Sequence, residues 1–271
     1  MFKIKNFSNN PNIKCTDTLG SFQVIEYQKD LSVNPYTAQM EYFNSEMNVR
    51  KRQVLCMVKK DMPIITQAGA MQWYVGDIEC TTGIKGVGDF AKKMVGASVS
   101  KETAIKPEYR GQGYLVLEPT YKYLILLDVE EWGKVVLDDG LFLACTSDVV
   151  QKITRRTTMS SAVAGGAGLF NLSLSGTGYA VLESDTPKSE LIEIELQDDI
   201  LRIDGNLAIA WSDSLKFTVE RSSKSLIGSM TNGEGLVNCY RGTGKVLMAP
   251  VASGNMMNQE MVKLMNMAQN K

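Results

Sequence analysis

Residues 137–181 read LDDGLFLACTSDVVQKITRRTTMSSAVAGGAGLFNLSLSGTGYAV. A glycine turn at Gly140 opens a short apolar run, which stops at Asp148. A second run follows, then an Arg-rich step, a Gly/Ser-rich crossover and a strand that reaches Gly176-Thr177-Gly178. Glycine supplies backbone angles that a Cβ disfavours, and aspartate bonds its own downstream backbone in turns. The seven residues between Gly140 and Asp148 are about one strand long. The stretch predicts short antiparallel strands with a hairpin turning over Gly176–Gly178.

The same landmarks occur before and after it. Gly69, Gly140 and Gly205 open the lines GAMQWYVGD, GLFLACTSD and GNLAIAWSD, which end at Asp77, Asp148 and Asp213. Further on come Gly111-Gln112-Gly113, Gly176-Thr177-Gly178 and Gly242-Thr243-Gly244, followed by YLVLEP, YAVLES and KVLMAP. Two separate landmarks recurring at a near-fixed period predict three repeat units, about 51–119, 120–184 and 185–250. Strands are expected at Phe22–Tyr27, Gln53–Val58, Asn171–Ser175, Leu191–Leu196 and Ser214–Glu220. The fold class is all-β: repeated antiparallel units forming packed sheets, sandwich- or barrel-like.

Residues 1–50 read as an extension with a possible first strand. Met40, Phe43 and Met47 have helical spacing, but a surface loop fits Asp30–Asn48 as well. Asp89–Met94 is a short helical candidate in the first crossover. Residues 251–271 form a Met-rich tail in which Met257, Met261, Leu264 and Met265 mark one helical face, with Ser253 or Asn255 as a cap.

Composition removes much chemistry. The 271 residues hold 29 basic and 30 acidic side chains, so no electrostatic footprint for nucleic acid stands out. The chain has no histidine. The commonest general base, metal ligand and partner of a nucleophilic serine or cysteine is therefore missing. Five cysteines, at 15, 56, 80, 145 and 239, form no C-x-x-C pair. They predict buried, reduced thiols in a cytoplasmic protein. The start, MFKIKNFSNNPNIK, lacks a signal-peptide apolar core, and no run is long enough to cross a membrane as a helix.

Each candidate site has a simpler structural account. GGAGLF at 165–170 lacks the Lys-Ser/Thr of a phosphate loop and reads as a close backbone crossing. The acidic pairs Glu130-Glu131, Asp138-Asp139 and Asp198-Asp199 lack cation-loop spacing and read as wet turns. The pairs Lys188-Ser189 and Ser223-Lys224 are adjacent in sequence and point apart on a strand. Arg50–Arg52, Lys92-Lys93 and Arg155-Arg156, with Tyr109, Tyr114, Tyr121 and Tyr123, contain the residue types for binding single-stranded nucleic acid, but they are scattered among acids. No residue is assigned a catalytic, cofactor or metal role.

The consecutive motifs GAMQWYVGDIE, YLVLEPTYKYLILLDVE, LDDGLFLACTSDVVQKITRR, GGAGLFNLSLSGTGYAVLES, LRIDGNLAIAWSDSLKFTVERS and SLIGSMTNGEGLVNCYRGTGKVLMAP resemble the altered-inheritance-of-mitochondria (AIM-type) family, over about residues 53–250. The resemblance implies an all-β fold related to the ring-forming tryptophan-attenuator (TRAP-like) RNA-binding proteins. It also implies a ring-like homo-oligomer, a trimer, and no established enzymatic activity. The first crossover, VGDFAKKMVGASVSKET, is less glycine-rich than the family's usual run. The first 50 residues and the tail fall outside the match, and no Arg-rich presequence supports a mitochondrial role. The expectation is a non-enzymatic, self-assembling cytoplasmic binding or scaffold protein without a cofactor. The alternatives are an RNA-binding regulator and a histidine-free hydrolase using carboxylates.

Overall fold

The computed structural model describes residues 2–7, 9–82, 106–155, 170–221 and 236–251. The helical candidate at Asp89–Met94, the crossovers Ser160–Gly168 and Lys224–Gly235, GGAGLF up to Leu169, and the tail helix at Asn255–Asn270 lie outside these residues.

The fold is all-β, with two curled antiparallel sheets. The first sheet contains β1 (Ile13–Leu19), β2 (Phe22–Tyr27), β3 (Arg52–Val58), β4 (Ile64–Thr66), β5 (Met71–Thr81), β6 (Glu108–Leu117), β7 (Tyr123–Asp128), β9 (Phe142–Thr146) and β12 (Tyr179–Ser184). Its order is β1-β2-β3-β6-β4-β9-β12-β7, with β5 also on β6. The second sheet contains β8 (Lys134–Leu137), β10 (Val149–Arg155), β11 (Phe170–Gly176), β13 (Ile192–Asp204), β14 (Ala208–Ser212), β15 (Lys216–Arg221) and β16 (Leu236–Met248). Its order is β10-β11-β8-β14-β16-β13, with β15 also on β16. Among the described residues two α-helices accompany them, α1 (Ala38–Glu46) and the single turn α2 (Val129–Trp132), which Asp128 caps by accepting from the Glu130 N–H at 3.0 Å. Among the described residues no helix is long and apolar enough to cross a membrane.

The first sheet curls until its terminal strands, β1 and β7, come together. At this seam the β1–β2 turn rests on β12. Gly20 has φ +56°, and a Cβ built there would sit 2.1 Å from Cδ2 of Tyr179.

Three apolar cores lie in series. The first gathers Phe22, Val54, Ile64, Leu115, Leu124, Leu126 and Val181. The second gathers Ile125, Leu127, Val135, Leu137, Leu172, Leu174 and Leu182. The third gathers Val136, Ile203, Trp211, Tyr240 and Val246. Side chains alternate across a strand. Along β7, Leu124 and Leu126 therefore enter the first core while Ile125 and Leu127 enter the second. On β8, Val135 and Leu137 enter the second core and Val136 the third. The strands between cores are buried on both faces, which is why 124–127 and 135–137 are unbroken apolar runs.

The glycine landmarks differ from the expected hairpin turns. Gly111–Gly113 lies inside β6 and Gly242–Gly244 inside β16. Gly176–Gly178 joins β11 of the second sheet to β12 of the first, so no hairpin forms there. At all three places the chain changes neighbours: β6 leaves β4 for β3, β11–β12 leaves β8 and β10 for β7 and β9, and β16 leaves β15 for β14. Such a bend needs an unusual backbone and close approach. Gly176 has φ +113°, and a Cβ on it would meet the Asp148 carbonyl oxygen at 2.2 Å. Gly111 makes the same approach to the Asp77 carbonyl oxygen at 2.0 Å. The aspartates that end the three repeated lines do not share one kind of turn either. Asp77 lies within β5, while Asp148 and Asp213 occupy breaks before β10 and β15.

Residues 1–50 contribute more than one strand. β1 and β2 pair through Ile13↔Tyr27 to Leu19↔Phe22, and β2 continues onto β3.

Candidate functional site

Where a loop fitted residues 30–48 as well as a helix, the structure has α1. Asn34 organises the turn before it, its side-chain carbonyl accepting from the N–H groups of Tyr36 at 2.9 Å and Thr37 at 3.2 Å. The helix stops at Asn48, which takes a left-handed φ of +60°, a conformation asparagine tolerates. Nine residues are too few for a stable isolated helix, so α1 must be held by what it touches.

It is held by polar contacts. Its one buried residue is Ser45, whose hydroxyl donates to the Gln28 carbonyl at 2.6 Å. Beneath the C-terminus lies a charged cluster. Glu26 Oε2 accepts from Arg52 Nε at 2.9 Å, and Glu26 Oε1 accepts from Arg50 Nη1 at 2.9 Å. Arg52 also donates to the Asn48 carbonyl and side chain, both at 3.0 Å. Arg50 donates through Nε to the Ser45 carbonyl at 3.2 Å. The Arg52 guanidinium lies 4.2 Å from the centre of the Tyr123 ring. Lys51 pairs with Asp30, lowering the carboxyl pKa of Asp30 and raising that of Lys51; the shared hydrogen bond is the largest cause for both.

The outer side is apolar. Tyr36 is 96% exposed, Met47 74%, Leu31 72%, and Met40, Tyr42 and Phe43 between 57% and 59%. Tyr42 and Phe43 meet edge to face with centroids 5.6 Å apart. Met40, Phe43 and Met47 follow at i, i+3 and i+7, the spacing of one face. The helix is inverted relative to an ordinary surface helix, with a serine inward and its methionines and aromatics outward. Contiguous apolar surface of this kind marks interaction sites.

The other candidate residues are not brought together. Glu130 and Glu131 lie on α2, and Asp138 accepts from Asn206 Nδ2 at 3.0 Å. Asp198 sits at a register shift in β13, its N–H donating to Thr243 Oγ1 at 3.0 Å. Asp213 pairs with Lys134 at 2.6 Å. Lys188 lies 3.9 Å from Asp17, in the short turn that also holds Ser189. Among the described residues no group of three or more cysteines and carboxylates is placed to hold a metal. The basic and aromatic residues are largely committed elsewhere: Arg50 and Arg52 to Glu26, Tyr123 to Arg52, Tyr109 to burial and Tyr114 to the ring of Phe2 at 5.8 Å. Lys92, Lys93, Arg156, Ser223 and Lys224 lie outside the described residues.

The cysteines depart from expectation in part. Cys56, Cys145 and Cys239 are buried, but Cys15 and Cys80 are exposed, and all five are free. Burial pushes the Cys145 thiol up to about 12 and raises that of Cys56.

Sequence reasoning missed the outward face of α1 and the Glu26–Arg52 pair. The helical spacing was visible, but spacing does not say which way an apolar stripe points.

The comparisons agree with this architecture. The family model for mitochondrial biogenesis AIM24 matches residues 44–251. An uncharacterised protein of Streptococcus pyogenes serotype M6 is 27% identical over 190 residues, covering 68% of this chain and 75% of that protein. The crystal structure of protein SPYM3_0169 from Streptococcus pyogenes has the same fold, with a TM-score of 0.56 at 24% identity, over 80% of this chain and 94% of that one. The motifs, the sheets and the matched residues place this chain in the AIM24 family.

Proposed function

We propose that the protein is a non-enzymatic binding or scaffold protein of the cytoplasm that assembles with copies of itself. The observation that carries this reading is the outward apolar face of α1, held in place by the ion pairs beneath it. A helix fixed with its methionines and aromatics in water gains by burying them against a second protein surface. The free cysteines suit a reducing compartment. In this reading the three glycine–aspartate landmarks mark three copies of one β unit, and the assembly is a ring, a trimer by resemblance to the TRAP-like proteins.

Light scattering on the full chain across micromolar concentrations tests the proposal. A defined oligomer that M40S/F43S dissociates supports it. A strict monomer removes it.

A further inference from the structure

Residues 2–7, FKIKNF, lie against one face of the ribbon formed by β5 and β6. The register sets Trp73 opposite Val116 and Val75 opposite Tyr114, so Trp73 and Tyr114 are diagonal neighbours on one face. Phe7 meets the Trp73 ring edge to face with centroids 5.8 Å apart, and Phe2 meets the Tyr114 ring in the same way at 5.8 Å. Ile4 between them is half-buried, while Lys3 and Lys5 are exposed.

Side chains alone make this contact. Among the described residues no hydrogen bond or ion pair joins 2–7 to β5 or β6. The hydrogen bonds of the segment run instead to Asn10, whose N–H donates to the Phe7 carbonyl at 3.2 Å and whose Nδ2 donates to the Asn6 carbonyl at 3.4 Å. A segment held by rings and no ladder can leave without breaking any backbone pairing of the sheet.

The same face continues along β5 to Asp77 and Glu79, both exposed. Met71–Thr81 contains no basic residue, and Arg110, opposite Glu79, is paired with Glu108 at 2.9 Å. Two rings followed by two carboxylates suit a segment that carries rings and lysines, which is the composition of 2–7. Carboxylates repel a phosphate backbone, so the chemistry fits a peptide and not a nucleic acid.

We infer that residues 2–7 are a releasable strap over a docking face, and that the freed face takes an extended peptide of another protein carrying two aromatic rings with lysines between them. The strap competes in cis at a roughly millimolar effective concentration, so the face opens only to a partner that outcompetes it. This inference does not rest on the self-assembly reading, whose surface is that of α1.

The test uses the full chain and a fluorescein-labelled peptide of residues 2–12, read by fluorescence polarisation. F2S/F7S in the protein is expected to bind the peptide about tenfold or more tightly than the unmodified chain, because its face is no longer occupied. Adding Y114S to F2S/F7S, or placing serine at both ring positions of the peptide, is expected to abolish binding. Circular dichroism confirms that the variants fold. F2S alone, at a side chain 41% exposed, replaces the double variant if that one does not fold, and is expected to bind more tightly than the unmodified chain. No binding to the folded strap variant overturns the docking face. Equal binding with and without the strap rings overturns the strap.

Discussion

Gly20 lies against the ring of Tyr179, so close that a single added carbon would stand 2.1 Å from Cδ2 and 2.3 Å from Cε2. This is the seam where the first sheet curls onto itself, and it joins residues 159 positions apart in the chain. Gly20→Ala meets two obstacles: a φ of +56°, worth about 1–2 kcal/mol against an L-residue, and the ring. The expected loss is about 2–4 kcal/mol in urea unfolding. Tyr179→Leu should make part of that loss disappear in the double variant, because the two changes share one contact. Strict additivity would contradict the seam.

Gly176→Ala and Gly140→Ala separate close approach from backbone angle. Both glycines have positive φ, but a Cβ on Gly140 meets nothing within 4 Å, while one on Gly176 meets the Asp148 carbonyl oxygen at 2.2 Å. Gly140→Ala is expected to cost about 1–2 kcal/mol. Gly176→Ala should cost clearly more, because backbone must move. Equal unfolding midpoints for the two would argue against the bend at the sheet switch.

Glu26 sits between Arg50 and Arg52, with its side chain 9% exposed and that of Arg52 4%. Removing one partner of a buried pair strands the other charge. Glu26→Gln is expected to destabilise by about 3–5 kcal/mol. It should also loosen α1, because Arg52 reaches Asn48 from the same cluster. Hydrogen exchange of the 38–47 amides checks the second effect: faster exchange there, ahead of the sheets, is the expected result.

Arg241 holds the Glu220 carboxyl at about 2, against an ordinary 4.5, mainly through its hydrogen bonds and with help from the Thr218 hydroxyl. A carboxyl lowered in the native state adds stability above its unfolded pKa. That stability is lost as pH falls from about 4.5 toward about 2. Both side chains are about a third exposed, so solvent screening keeps the contribution small. Arg241→Met should flatten this part of the stability–pH curve, and high salt should do the same to the unmodified protein. An unchanged acid limb would show that the pair contributes nothing.

The thiols offer a direct check on burial. Cys15 and Cys80 should react promptly with a thiol reagent in the native protein, and Cys56, Cys145 and Cys239 only after unfolding. Five fast thiols would contradict the core assignments.

Much of this architecture could be read before the structure, and the failures share a cause. Phe22–Tyr27 and Gln53–Val58 were legible because their apolar runs are short and bounded by turn residues or charge. Gly176–Gly178 was misread because glycine pairs mark hairpin turns and strand bends alike, and the difference lies in distant partners. LIEIEL alternates apolar and acidic residues, and Glu193 and Glu195 lie in solvent, yet the strand expected to end at Leu196 continues to Asp204 because β16 supplies a partner that long. α1 was the hardest element, since its inward contacts are polar and its apolar stripe faces water.

The strands buried on both sides carry a consequence for how the molecule can change. A substitution at Ile125 is felt in one core, and one at Leu126 in the next, so neither can be repacked in isolation. Melting any one core strips a wall from its neighbour, which favours a single all-or-none transition over stepwise loss. Drift in sequence is then cheapest at the two ends of the stack and in the parts that cling to its outside, and α1 is such a part.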